Sequence, residues 1–97
     1  MIIYEINATV SRELVEEFEK YMRGRHIPDL LETGFFERAF FARNGENRYR
    51  IQYHARDRQA LDEYLRTKAE TLRNDFLAHF PAGIELAREN WELLESW

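Results

Sequence analysis

The spacing of apolar residues switches repeatedly between two periods along this chain, and the order of the switches leaves few folds open. Residues 2–10, IIYEINATV, alternate, with Ile2, Tyr4, Ile6, Ala8 and Val10 on one side and Ile3, Glu5, Asn7 and Thr9 on the other. Period two predicts a strand. Leu14, Val15, Phe18, Tyr21 and Met22 then recur at helical spacing, which predicts an amphipathic helix from a Ser11 N-cap to about Gly24. Pro28 suits the first turn of a second, short helix ending at Gly34. Residues 35–43 and 48–55 read as strands joined by Asn44-Gly45-Glu46-Asn47, a hairpin turn signal. Asp57 can cap a long helical stretch with Leu61, Tyr64, Leu65, Ala69, Leu72, Phe76 and Phe80 on one stripe. Its length predicts a bend or break near Thr67, and Pro81-Ala82-Gly83 stops it. Residues 84–94 form a final strand with mixed faces.

Strand, helix, strand, strand, helix, strand is the ferredoxin-like β-α-β-β-α-β order. It predicts an α+β fold, a four-stranded antiparallel sheet with both helices on one face. The 97 residues suit one domain over 1–97, too small to hold a separate dinucleotide-binding domain. The chain has no cysteine, so disulfides and thiolate chemistry are excluded. Its apolar runs are far shorter than the ~20 residues of a membrane span. The start, Met1-Ile2-Ile3-Tyr4-Glu5, lacks the features of a signal peptide, so the expected location is the cytoplasm.

Helices cover one sheet face, so the other is the informative one. The alternation places Glu5, Asn7, Arg50, Gln52 and His54 there. Phe36, Arg38 and Phe40, or else Phe35, Glu37 and Phe41, join them, because the Phe doublets leave that register open. A face so rich in aromatics, with Trp91 and Trp97 nearby, argues against plain solvent exposure. The expected partner is a second copy, two sheets pairing as a dimeric α+β barrel around a cavity. There Glu5 needs a cation such as Arg50 or Arg38. RNA binding is not expected, because Arg48-Tyr49-Arg50-Ile51-Gln52-Tyr53 lacks the glycines and aromatic spacing of an RNA-reading strand. Six arginines between residues 38 and 58 face only Glu46 and Asp57, a balance of +4 in a chain of net charge −4. This asymmetry fits an anionic partner, a molecular edge, or an ordinary solvated hairpin.

Several residues resemble domain-of-unknown-function family 4286. They are Met1-Ile2-Ile3-Tyr4-Glu5, Phe18, Tyr21-Met22, His26-Ile27-Pro28, Gly34-Phe35-Phe36, Tyr49-Arg50-Ile51-Gln52-Tyr53, Leu61, Tyr64-Leu65, Leu72-Arg73-Asn74-Asp75 and His79-Phe80. The resemblance implies a dimeric ferredoxin-like fold and no particular activity. More broadly the pattern resembles the dimeric α+β barrel superfamily, which includes antibiotic-biosynthesis monooxygenases and haem degraders. The haem degraders use an Asn in the first strand and a Trp and a His in the second long helix. Asn7 matches the first, Tyr64 stands where the Trp would be and Asn74 roughly where the His would be, so haem degradation is not carried over.

The binding set expected in the barrel cavity is Glu5, Asn7, Arg50, Gln52, Tyr53 and His54. No catalytic set stands out. His26 is a candidate general acid/base at a cavity mouth, or a cap for the first helix. His54 is a second candidate, or an interface hydrogen-bonding group. His79 should interact with a helix C-terminus. Asp75 and His79, four apart, could share a metal, but an exposed Asp/His pair is far commoner. No metal and no cofactor is expected. Two function classes follow: a small-molecule binder acting in the cavity, or a structural or regulatory interaction module with that face packed shut. A cofactor-independent monooxygenase or isomerase is a further possibility.

Overall fold

The computed structural model describes residues 1–97. Strand β1 spans Ile2–Val10, β2 Phe36–Asn44, β3 Arg48–Ala55 and β4 Ile84–Glu92. They form one antiparallel sheet in the order β2-β3-β1-β4. Helices α1 (Val15–Tyr21), α2 (Ile27–Glu32), α3 (Arg58–Thr67) and α4 (Ala69–His79) complete the ferredoxin-like arrangement expected from the periodicity. No helix is long and apolar enough to cross a membrane.

The central β1/β3 pair fixes which side each residue faces. Tyr4 lies opposite Tyr53, Ile6 opposite Ile51 and Ala8 opposite Tyr49, and these turn to the helices. The alternate pairs, Glu5 with Gln52 and Asn7 with Arg50, turn to the open side. Burial agrees with this parity: Tyr4, Ala8, Tyr49, Ile51 and Tyr53 all belong to the apolar core with Phe18, Leu30, Phe36, Leu61, Tyr64 and Phe76.

A β-bulge resolves the ambiguity at the Phe doublets. Phe36 pairs with Ala55, but Arg38 already pairs with His54, so Glu37 is the extra residue. An inserted residue reverses the alternation after it. Phe36 is therefore covered before the bulge, and Ala39 and Phe41 after it, while Arg38 and Phe40 face the open side. Neither register expected from the sequence holds along the whole strand, because each assumed unbroken alternation.

The two helices expected between β1 and β2 are instead one continuous run. A 3₁₀ turn at Arg12–Leu14 leads into α1, and a π-turn at Met22–His26 joins α1 to α2. The Ile27 amide donates to the Met22 carbonyl, one residue further back than in an α-helix. Proline offers no amide to the carbonyl four residues before it and clashes with it. Widening the helix ahead of Pro28 absorbs that defect without ending the run. Thr33 closes α2, its hydroxyl donating to the Leu30 carbonyl at 2.6 Å, and Gly34 turns away at a φ of +82°.

The expected break near Thr67 occurs at Lys68, between α3 and α4. Of the two expected N-caps, only Asp57 acts through its side chain, accepting from the Ala60 amide at 2.9 Å. Ser11 makes no such bond, since the chain enters helix through a 3₁₀ turn closed by its backbone carbonyl. Asp57→Ala should therefore lower unfolding stability by about 1 kcal/mol, and Ser11→Ala should leave it nearly unchanged. Urea denaturation of the two variants checks this, and equal losses would contradict the capping assignment.

Candidate functional site

Between the helical layer and the covered sheet face lies a cavity of about 250 Å³. Its walls are mainly apolar: Ile6, Phe18, Met22, Leu30, Ile51, Phe76, Leu77 and Leu86. Its polar lining consists of Tyr4, Tyr53, Tyr64, His26, Arg73 and Arg88. No aspartate or glutamate lines it.

The π-turn puts His26 there. His26 stacks on Tyr21 with ring centroids 5.7 Å apart and meets Phe76 edge-on at 5.6 Å. Its Nδ1 is buried without a hydrogen-bond partner, so the capping role expected as one alternative is not seen: the helical run continues past it. Burial pushes its pKa down to about 4, and the Arg88 charge adds to the effect, against Asp29 and Asp75. His26 is thus a neutral imidazole at physiological pH. A base this weak is poorly matched to proton abstraction near neutrality.

Asp75 ties the π-turn to α4. Its carboxylate accepts from the Tyr21 hydroxyl at 2.6 Å and from both Nε and Nη2 of Arg25, at 3.1 and 2.7 Å. The Tyr21 bond, with the Arg25 bonds and charge, holds that carboxyl below its usual range despite some burial. His79 turns Nδ1 to the Asp75 carbonyl at 2.9 Å. A carbonyl only accepts, so Nδ1 carries the proton, in the last turn of α4 where a C-terminal partner was expected. With its carboxylate engaged by Tyr21 and Arg25, Asp75 does not form a metal pair with His79. No group of three or more metal-ligating side chains gathers anywhere in the chain.

The structure divides the expected binding set. Tyr53 lies on the covered face, fully buried, with its hydroxyl unpartnered beside the cavity. Glu5, Asn7, Arg50, Gln52 and His54 lie on the other side of the sheet and do not line the cavity. One parity cannot place Tyr53 beside Gln52 and His54, its neighbours in sequence. On the open side the Glu5 carboxylate accepts from Gln52 Nε2 at 2.8 Å and Asn7 Nδ2 at 3.0 Å, with Arg50 Nε 3.4 Å away. Burial raises its pKa, but these donors and the Arg50 charge outweigh that and hold it below the usual carboxylate range. Glu5, Asn7, Arg50 and Gln52 border a shallow, open depression with Ile3, Trp91 and Leu94. His54 packs on Phe40 at 5.2 Å, with both ring nitrogens buried and unpartnered.

The sequence reading missed Arg73, Arg88 and Tyr64 as cavity residues. Arg88 carried a legible signal: it lies opposite Ile6, a charged residue at a covered-face position of its strand. Arg73 sits in the stripe of α4, three residues before Phe76, where an amphipathic helix turns inward.

A four-stranded antiparallel sheet covered on one side by helices is a ferredoxin-like architecture, and solved structures match it over nearly the whole chain. A variant of SnoaB, a cofactor-independent oxygenase from Streptomyces nogalater, superposes with a TM-score of 0.77 at 15% identity, covering 98% of this chain and 95% of that one. The heme-degrader MhuD from Mycobacterium tuberculosis, with two hemes bound in its active site, gives 0.74 at 16% identity, covering 100% and 99%. A dimeric ferredoxin-like protein from an uncultured marine organism gives 0.74 at 9% identity, covering 100% and 98%. At these identities the likeness concerns the fold alone. No curated protein matches the sequence. The chain belongs to the family described as Domain of unknown function (DUF4286), whose model matches residues 1–92. The haem-degrader set is not reproduced in the cavity, because Asn7 faces the open side and Asn74 is not among the lining residues.

The neutrality of His26 sets a pH dependence. The unfolded chain takes up a proton at this residue near 6.5, the folded chain only near 4. Its contribution is full above 6.5 and is lost as the pH falls toward 4, by about 3 kcal/mol at most. His54, also shifted down by burial and by Arg38, acts in the same direction. Urea midpoints should fall between pH 7.5 and 4.8, and His26→Phe should flatten that fall. An identical pH dependence in the variant would contradict the assignment.

Proposed function

We propose that this protein binds a compact small molecule with an apolar body in the cavity between its helices and its sheet, and that it acts as a homodimer paired through the open sheet face. The observation that carries the binding reading is the cavity itself. Its wall of aromatic and aliphatic side chains is interrupted by a few polar groups, of which the Tyr53 hydroxyl, His26 Nδ1 and Arg73 Nε lack partners within the chain. Buried polar atoms without partners carry a free-energy cost that a ligand can relieve. Apolar walls with a few convergent polar groups are the usual composition of a ligand site. Weak basicity at His26 and the absence of carboxylates from the lining favour binding over acid–base catalysis.

The dimer reading rests on the open face. Phe40 and Trp91 are about half exposed there, at 49% and 50%, and Leu94 is 82% exposed. Such a patch favours a partner. Glu5, only 4% exposed, is already surrounded by donors, so covering the face does not strand its charge. In this reading Glu5, Asn7, Arg50, Gln52 and His54 serve the contact between copies, and Tyr53 and His26 serve the ligand.

The test uses 2-naphthol, a neutral aromatic probe, followed by tyrosine and tryptophan fluorescence. Saturable binding at one molecule per protomer is expected, with loss of binding in Leu86→Trp, which fills the cavity from the edge strand. Unchanged binding in that variant would remove the cavity as the site. Sedimentation velocity should give a dimer, and Phe40→Glu with Trp91→Glu should give a monomer. A dimer that survives both charges would exclude the open face as the interface.

A further inference from the structure

The cavity has an electrostatic sign. Arg73 enters it from α4 and Arg88 from β4, and neither has a carboxylate within ion-pairing distance, although eight other ion pairs form elsewhere in the chain. Asp75, on the same helix as Arg73, is committed to Tyr21 and Arg25. Arg73 is held in place by donating from Nη2 to the Tyr4 hydroxyl at 2.9 Å, and its Nε is buried with no acceptor. Arg88 is near enough to act on both His26 and Tyr64, and Arg73 also acts on Tyr64. Both guanidiniums line the same cavity as the phenols of Tyr4, Tyr53 and Tyr64.

The remaining polar lining consists of groups that can donate. Burial, the nearby Tyr4 and, for Tyr53, other phenols keep the Tyr53 and Tyr64 hydroxyls protonated. Two guanidiniums and three phenols thus face an apolar space with no anion among them. Guanidinium groups pair best with a planar, two-oxygen acceptor, and a carboxylate presents about four lone-pair sites. A cationic ligand would be repelled, and a neutral one would leave the buried Arg73 Nε without a charged acceptor. The volume, about 250 Å³, lies below the roughly 300–1,000 Å³ of pockets for drug-sized ligands, which limits the occupant to one or two rings.

We infer that the ligand is a compact aromatic or alicyclic carboxylate, its ring against Phe18, Phe76 and Ile51 and its carboxylate held between Arg73 and Arg88. This rests on the cavity being the binding site, as proposed above. The test compares 2-naphthoate with its neutral isostere 2-naphthamide by isothermal titration calorimetry. The wild-type protein should bind the naphthoate at least tenfold more tightly, and Arg73→Met and Arg88→Met should each abolish that preference. Arg88 is exposed on an edge strand, so its variant carries the test if loss of the Arg73–Tyr4 bond unfolds the other. Equal affinity for the two probes in the wild type would overturn the carboxylate class and leave the cavity reading standing. A preference that survives in both arginine variants would overturn the assignment of these residues. Failure of both probes to bind would overturn the cavity reading and this inference together.

Discussion

The pairing register of β1 with β3 is the constraint from which the rest follows. Tyr4 against Tyr53, Ile6 against Ile51 and Ala8 against Tyr49 collect the large apolar side chains on one face. Glu5, Gln52, Asn7 and Arg50 are left on the other. Because strand side chains alternate, a slip of β1 by one residue would send Tyr4 into the open and Glu5 into the core. The helical layer, the cavity and the polar network on the open face all presuppose this parity. The single bulge at Glu37 keeps β2 consistent with it, turning Phe36 and Phe41 inward on either side of a local reversal.

The cavity exists because the helical layer does not close down uniformly on the sheet. Aromatic rings fill the space toward either end: Tyr4, Phe36, Tyr53 and Tyr64 form one cluster, and Phe18, Phe41, Tyr49, Phe76 and Phe80 the other. Between them the π-turn widens the first helical run, and the Tyr21–Asp75–Arg25 clamp fixes that turn against α4. His26 is thereby held over the cavity with its stacking partners on both sides. Proline chemistry at residue 28, an ion-paired clamp and the cavity are links in one physical chain.

The open face shows how a sheet can carry charge and remain ready for cover. Glu5 would be costly to bury alone. Two amides and a guanidinium from neighbouring strand positions offset that cost within the protomer. His54 on the same face instead gives up its charge, lowered by burial and by Arg38. Of the six arginines between residues 38 and 58, Arg43 pairs with Glu19, Arg50 with Glu5 and Arg56 with its neighbour Asp57. Acidic residues from other elements thus balance two of the six, and Arg38, Arg48 and Arg58 form no ion pair.

Periodicity and punctuation in the sequence determined the element order, the break at Lys68, the Asp57 cap and the face of nearly every residue in β1 and β3. These are local properties, set by side-chain alternation and by hydrogen bonds a few residues long. Tertiary structure alone decided the rest. The bulge at Glu37 depends on what β3 offers opposite the Phe doublets. The merger of two expected helices depends on how a chain absorbs Pro28 while packed against α4. The cavity lies inside the protomer because two helices and a sheet leave space between them, a quantity with no signature along the chain. Arg73 and Arg88 are fifteen residues apart and come to line one cavity only when α4 packs over the sheet whose edge strand is β4. Sequence patterns report what each segment buries. Where buried surfaces fail to meet, and which charges are stranded there, is a property of the assembled whole.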